Sequence, residues 1–450
     1  MEPSDSKQLK LLLLLPDGKI HKVQFGSFCR SMREAPLTLT TLAALVPEEL
    51  DIEIKLIDGS VEQIPLKDKF DIVAISTMTG TANEAYRLAE YFKNQGSYIV
   101  LGGVHVTLMP DEAIEYADTI LQGSGENTWP QFLKDYSNRK PQKRYKAVFK
   151  DCAYENIPVP LRHLQNNIRY NMPNTVSATR GCRNVCRFCS VPSVWKSFKK
   201  RPVNEVINEL KLIRSKFIAF NDVSMAEDKE YARELFTAMI PLKKLWGGLV
   251  TLKAAKDEEL VKLMSKSGCR YLLLGFESFS QSSLGEINKG FNKHEEYKSM
   301  IEMLHHYKIS VQGCFIFGFD HDDKSVFDET IQNIIDLKID IPRFSILTPY
   351  PGTEVFKQMD REKRILTKNW ENYDTMHVVY QPAQMGPEEL YDGFKYAYRE
   401  TFKMIPILKR IAAPKFSSLI NLVGNVTYKR FVKRLYTSPE YSKPYLEYEA

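Results

Sequence analysis

Cysteine is scarce in this sequence, seven in 450 residues, too few for a disulfide-stapled scaffold of this length. Glycine (22) and proline (23) are also modest, which excludes collagen-like and low-complexity classes. No apolar run approaches the roughly 20 residues that a membrane-spanning helix needs. The leucine run Leu11–Leu15 ends at Pro16-Asp17 and is too short for a signal peptide. Neither sign of charge dominates: 62 Lys and Arg face 56 Asp and Glu, a net +6. What remains is an ordinary globular composition, 43% hydrophobic and 26% charged, sufficient for two or three domains at roughly 100–200 residues each. The expectation is a cytoplasmic protein, whose clustered cysteines serve as ligands or catalysts.

Residues 1–136 alternate short β-branched or Leu-rich runs with helical patterns. Strands are expected at Lys10–Leu15, Ile52–Ile57, Ile72–Thr77, Tyr98–Leu101 and Thr119–Gln122. Between them, Asn83–Asn94 places Ala85, Leu88, Ala89 and Phe92 on one helix face. That alternation predicts an α/β, Rossmann-like domain with a parallel sheet. Residues 137–172, with the basic run Arg139–Lys146, read as a linker, a solvated stretch without the interleaved aromatics of a nucleic-acid surface. Residues 173–385 repeat the alternation. Strands are expected at Thr175–Thr179, Phe217–Asn221, Gly248–Leu252, Tyr271–Phe276, Ser310–Phe317 and Arg343–Leu347. Six β/α units in this length predict a partial parallel barrel, since eight normally take about 250 residues. Residues 386–450 read as a helical C-terminal region.

Three cysteines fall together in GCRNVCRFC: Cys182, Cys186 and Cys189. They follow the first strand of the second alternation, on the face where barrel active sites sit. Thiolates at these spacings select zinc or an iron–sulfur cluster. Structural zinc wants four ligands, and the other cysteines are scattered singly; a knuckle completed by His163 is the zinc alternative. A cubane on three cysteines leaves one iron open to chelation by a small molecule.

The CxxxCxxC spacing after the first strand of a partial β/α barrel resembles the radical S-adenosylmethionine (SAM) enzymes. GFES at Gly275–Ser278, VQGCFIFGF at Val311–Phe319, FSILTPYPGT at Phe344–Thr353 and FNDVSM at Phe220–Met225 extend the likeness. The resemblance implies that Cys182, Cys186 and Cys189 hold a [4Fe–4S] cluster that cleaves SAM to a 5′-deoxyadenosyl radical. It places Phe188 near the adenine. Asp222 and Glu277, at strand ends, would accept hydrogen bonds from SAM, and Gly313 would let the ligand approach. Taken singly, Glu277 reads equally well as a structural ion-pair partner. A one-electron donor such as ferredoxin or flavodoxin is implied.

LGGVHVTLMPDEA at Leu101–Ala113 and LQGSGENTWPQFL at Leu121–Leu133 are similar to the cobalamin-binding domain that precedes many radical SAM barrels. Thr77, Thr79, Gly102, Gly103, His105, Gly123 and Gly125 lie at or beyond carboxyl ends of parallel strands, where open α/β sheets bind ligands. The Asp-x-His-x-x-Gly pattern that supplies a lower cobalt ligand is missing, so His105 reads as a structural or lower-face residue. Partial matches reach two branches, the hopanoid and lipid methylases and the anaerobic Mg-porphyrin ester cyclases. The expected reaction is cobalamin-dependent methylation of an unactivated carbon on an apolar, lipid-like small molecule. Radical cyclisation without methyl transfer is the alternative, and a zinc-containing RNA-binding module is more remote.

Residues 403–434 carry eight Lys or Arg and no acid, leaving the remaining chain with 54 cations against 56 acids. The body of the chain is near neutral, without a nucleic-acid signature. The tail reads either as a helical cap or as a peripheral membrane contact.

Overall fold

The computed structural model describes residues 8–18, 22–25, 28–147, 154–411 and 418–444. It divides into two compact units, one up to Thr175 together with Val194–Lys196, the other from Val176 onward.

The first unit is a six-stranded sheet in the spatial order Ile52–Asp58, Leu9–Leu15, Ile72–Ser76, Tyr98–Gly102, Thr119–Gln122, Arg144–Lys146. All its pairings are parallel. Leu11, Leu12, Leu13 and Leu14 are each fully buried, so this run is covered on both faces, as a central parallel strand is. Helix Ala82–Asn94 buries Ala85, Leu88, Ala89 and Phe92, the face its spacing predicts. Trp129, also fully buried, donates its indole N–H to the Leu42 carbonyl at 3.0 Å. The strand order reverses between Leu9–Leu15 and Ile72–Ser76, the switch point where such sheets open a crevice.

Two parts of the stretch read as a linker are strands. Arg144–Lys146 adds the sixth strand, with Tyr145 buried between its exposed basic neighbours. Tyr170–Met172 pairs with Phe28–Glu34, which pairs antiparallel with Lys22–Phe25. This small sheet is tied down by Tyr170, whose hydroxyl donates to Asp58 at 2.7 Å. Thr175 donates its hydroxyl to the Ala35 carbonyl at 2.9 Å.

The second unit holds a six-stranded sheet in chain order: Thr175–Val176, Phe217–Phe220, Leu245–Val250, Cys269–Glu277, Ser310–Phe317, Ile341–Ile346. From Phe217 onward its pairings are parallel. Several helices that follow these strands start on a side-chain cap. Asp228, Asp257, Ser280 and Thr353 accept from Tyr231, Leu260, Ser283 and Phe356 backbone N–H groups, satisfying donors that a helix start leaves free.

The C-terminal region is helical: Pro387–Thr401, Met404–Ile411 and Ser418–Thr437. Residues 412–417 of the basic tail lie outside the described residues. Pro406 does not end a helix; it sits in the first turn of Met404–Ile411, where proline is tolerated. Helix Ser418–Thr437 packs against the last strand so closely that a Cβ on Gly424 would lie 2.7 Å from Ile341 Cδ1. Asn421 and Asn425 fasten it there. Asn421 Nδ2 donates to Asp340 Oδ1 at 2.9 Å and to Ser310 Oγ at 3.0 Å, and Asn425 Nδ2 to the Asp340 carbonyl at 2.9 Å. Asp340 is fully buried and also accepts from the Val311 N–H at 2.9 Å. Among the described residues, no helix is long and apolar enough to cross a membrane.

Candidate functional site

In the second unit the cysteine loop is anchored before it begins. Asp222 lies 4% exposed and accepts from the Ala178 N–H at 3.1 Å through both oxygens. The Thr179 N–H and hydroxyl donate to the same carboxylate. Burial pushes Asp222 up to about 6, with these bonds opposing. Its oxygens are thus engaged by the backbone that leads into the cysteines, and the structure makes it a support for the loop.

Within the loop, the Cys189 N–H donates to the Cys186 carbonyl at 3.1 Å. The Asn184 N–H points at Cys182 Sγ, 3.4 Å away, and Glu227 Oε1 lies 3.6 Å from the same sulfur. Arg187 fastens the loop to two other segments, donating to the Glu286 carbonyl at 2.9 Å and to Gln358 Oε1 at 2.5 Å. Cys186 is buried, Cys182 and Cys189 partly so. Burial pushes the Cys186 thiol up to about 12, with Lys289 pulling the other way and both neighbouring cysteines adding to the rise. Cys182 and Cys189 are raised by burial as well. Thiols held neutral by burial ionise when a soft cationic centre binds them, releasing protons. Among the described residues, no three His, Cys, Asp or Glu side chains gather closely enough to hold one metal ion.

Glu277 ends the fourth strand with φ +66°, a left-handed backbone that costs on the order of 1–3 kcal/mol in a residue other than glycine. Its carboxylate takes a salt bridge from Lys289 Nζ at 2.5 Å. Burial works against the Lys289 charge, but Glu277 and the thiols Cys186 and Cys189 hold it above its ordinary value. The ammonium lies 5.9 Å from the Phe188 ring centroid. Glu277, Lys289, Phe188 and the cysteine loop therefore form one constellation. The ion-pair reading that the sequence left open for Glu277 has a partner, and Lys289 was missed because its position depends on a contact 12 residues away in the chain. Glu227 and Arg187 were missed too, although Arg187 sits inside the motif. Gly313 sits on the neighbouring strand, opposite Leu274; a Cβ there would meet Ile339, Phe315 and Phe276 at 3.0–3.3 Å, so its small size lets those side chains close over the strand.

In the first unit the predicted residues converge at the carboxyl ends of the strands. The Thr77 N–H donates to the Gly102 carbonyl at 2.9 Å, and the His105 N–H to the Thr77 carbonyl at 3.2 Å. Gly103, φ +100°, starts helix Val104–Leu108, and a Cβ there would sit 2.6 Å from the Thr77 carbonyl oxygen; no other residue fits. The Gly123 N–H takes Thr107 Oγ1 at 2.9 Å, and Gly125 starts helix Gly125–Ser137. Thr77, Thr79 and His105 are buried. His105 Nδ1 pairs with Thr79 Oγ1 at 3.3 Å and Nε2 with Glu112 Oε1 at 3.2 Å, and Tyr86 donates to the same oxygen at 2.9 Å. With both ring nitrogens engaged, His105 braces the loop. Beside these buried residues Met78 stands 60% exposed, next to the switch point.

Comparisons with known proteins bear on the family of the chain. Residues 176–334 match the model of the radical SAM superfamily, and residues 28–133 match that of the B12 binding domain. Bacteriochlorophyllide d C-12(1)-methyltransferase of Chlorobaculum tepidum is 30% identical over 445 residues, covering 96% of this chain and 95% of that protein. Anaerobic magnesium-protoporphyrin IX monomethyl ester cyclase of Cereibacter sphaeroides is 26% identical, over 74% of this chain and 60% of its own length. Among solved structures, the radical SAM methyltransferase TsrM of Kitasatospora setae, with cobalamin and a [4Fe–4S] cluster bound, shares the fold. Its TM-score is 0.66 at 14% identity, covering 79% of this chain and 75% of that one. The chain belongs to the radical SAM enzymes that carry a B12-binding domain, whose cofactors are a [4Fe–4S] cluster, SAM and cobalamin.

Proposed function

We propose that this radical SAM enzyme methylates an unactivated side-chain carbon of a chlorin- or porphyrin-type macrocycle. The observation that carries the substrate class is the near end-to-end likeness to a bacteriochlorophyllide methyltransferase. When bound, the cluster and SAM supply an adenosyl radical for hydrogen abstraction, and cobalamin supplies the methyl group.

In this reading Cys182, Cys186 and Cys189 ligate the cluster, a donor set suited to it because all three are thiols and the open iron coordination is left for SAM. Lys289 offers the SAM carboxylate a buried ammonium whose donors Glu277 does not exhaust. Glu277 would accept from the SAM ammonium or ribose, and Phe188 would lie near the adenine. Asp222 holds the start of the cysteine loop, and Gly313 packs behind the barrel aromatics. In the first unit Gly102, Gly103, Gly123 and Gly125 would present backbone to cobalamin, while Thr77, Thr79 and His105 keep those turns in place. An electron enters from a small donor such as ferredoxin or flavodoxin.

Cyclisation without methyl transfer is the second reading, favoured by the likeness to the ester cyclase. Turnover with methyl-labelled SAM separates the two, using bacteriochlorophyllide d and magnesium-protoporphyrin IX monomethyl ester as probes. Mass spectrometry should find the label in the macrocycle. An unlabelled product with a new ring would overturn the methylase reading.

A further inference from the structure

The proposed reaction does not use the basic tail. Helix Met404–Ile411 buries Ile407, Arg410 and Ile411, yet its opposite side is apolar: Ile405 is 69% exposed, Leu408 52% and Met404 41%. Residues at these spacings share one face of a helix. Helix Ser418–Thr437 turns Asn421, Asn425, Phe431, Val432 and Leu435 inward. Its outward side carries Val423, 58% exposed, in the first half, and exposed Lys429, Arg430 and Lys433 in the second.

No Asp or Glu occurs between Thr401 and Ser438. Two cations of this stretch are neutralised from outside it, Lys403 by Glu400 and Arg434 by Glu440. Among the described residues Lys409, Lys429, Arg430 and Lys433 have no carboxylate partner. Exposed isoleucine and leucine are costly in water, and a field of one sign with nothing to balance it calls for an opposite charge from elsewhere.

The geometry points to the outward faces of these two helices as a docking surface for an anionic lipid bilayer. The pattern of apolar side chains with flanking cations suits the boundary between headgroups and acyl chains. A nucleic acid would have no use for Ile405 and Leu408. An acidic protein would answer the charge but leaves the exposed Ile405 and Leu408 unaccounted for, whereas a bilayer takes both. Neither helix can span the membrane, so the contact is peripheral. It brings the enzyme to the surface into which an apolar macrocycle partitions.

Co-sedimentation of the full-length chain, cluster reconstituted, tests this with phosphatidylcholine vesicles, with and without phosphatidylglycerol, at low and high salt. Binding is expected only to the anionic vesicles and should be lost at high salt. Replacing Lys429, Arg430 and Lys433 together by alanine should lower partitioning about a hundredfold. Ile405→Ser with Leu408→Ser should lower it about tenfold. Both variants should keep the iron content and melting temperature of the parent, since the altered side chains face outward. Equal binding to neutral and anionic vesicles would overturn the assignment, as would unchanged binding by the triple variant. So would sedimentation velocity showing that Ile405→Ser and Leu408→Ser dissolve a dimer while vesicle binding persists.

Discussion

Replacing Lys289 by methionine keeps the length of the side chain and removes its charge. Glu277 would then remain with a side chain only 9% exposed and no cation beside it. Removing one partner of a buried pair costs about 3–5 kcal/mol, because the surviving charge is stranded in a poor solvent. The backbone at Glu277 adds to the consequence, since its left-handed φ persists only while surrounding contacts over-determine it. For a unit of this size, each kcal/mol moves the midpoint by roughly 2–4 °C, so Lys289→Met should lower the melting temperature on the order of 10 °C. Glu277→Gln in the same chain removes the stranded charge and should recover a coupling energy of about 0.5–3 kcal/mol. The assay is thermal unfolding of the apo full-length chain, followed by circular dichroism, for the parent, both single variants and the double variant. A double variant that melts at the sum of the two single losses would refute the pairing. So would a Lys289→Met chain that melts with the parent.

Gly103→Ala forces a Cβ to 2.6 Å from the Thr77 carbonyl at a positive φ, costing about 1–3 kcal/mol. Cobalamin retained on purification should fall while iron content stays at the parent level. Cys186→Ala should abolish iron and sulfide incorporation under anaerobic reconstitution, whereas Cys269→Ala, in a fully buried strand position, should leave both unchanged. His377 gives a pH signature. Burial opposes its charge, but Asp374 at 3.0 Å and the Glu440 carbonyl at 2.9 Å together raise it above the ordinary value. Two acceptors on the two ring nitrogens favour the imidazolium. Its contribution to stability is therefore complete below the unfolded value near 6.5 and is lost as pH rises through the raised folded value. Urea unfolding from pH 5 to 9 should show that decline, and Asp374→Asn should flatten it.

Much of the architecture was visible because it is written in local pattern. Leu11–Leu15 is continuous because the strand is covered on both sides, and Asn83–Asn94 has a single apolar face because only one side meets the sheet. The cysteine loop was visible because its chemistry is local too. What escaped was built from distant parts. Arg144–Lys146 is a short edge strand whose exposed Arg144 and Lys146 suit an edge, and the same charges read as a solvated connector. The small sheet of Lys22–Phe25, Phe28–Glu34 and Tyr170–Met172 pairs residues about 140 positions apart. Asp222 was recognisable as a strand-end carboxylate, but its four bonds to Ala178 and Thr179 come from the segment just beyond the neighbouring strand, more than 40 residues away in the chain. The partners of His105, Thr79 and Glu112, lie 26 and 7 residues away and could not be read from its own position.

The seating of helix Ser418–Thr437 separates what its two sides are free to become. Gly424, Asn421 and Asn425 close over Asp340 and Ile341, so a chain cut before Lys403 would bare a buried carboxylate and unfold the wall behind the last strand. The outward positions carry no such duty. Lys429, Arg430, Lys433 and Val423 are exposed and can be exchanged without disturbing the sheet beneath. The tail is at once a wedge that the fold needs and an outer face that is free to vary.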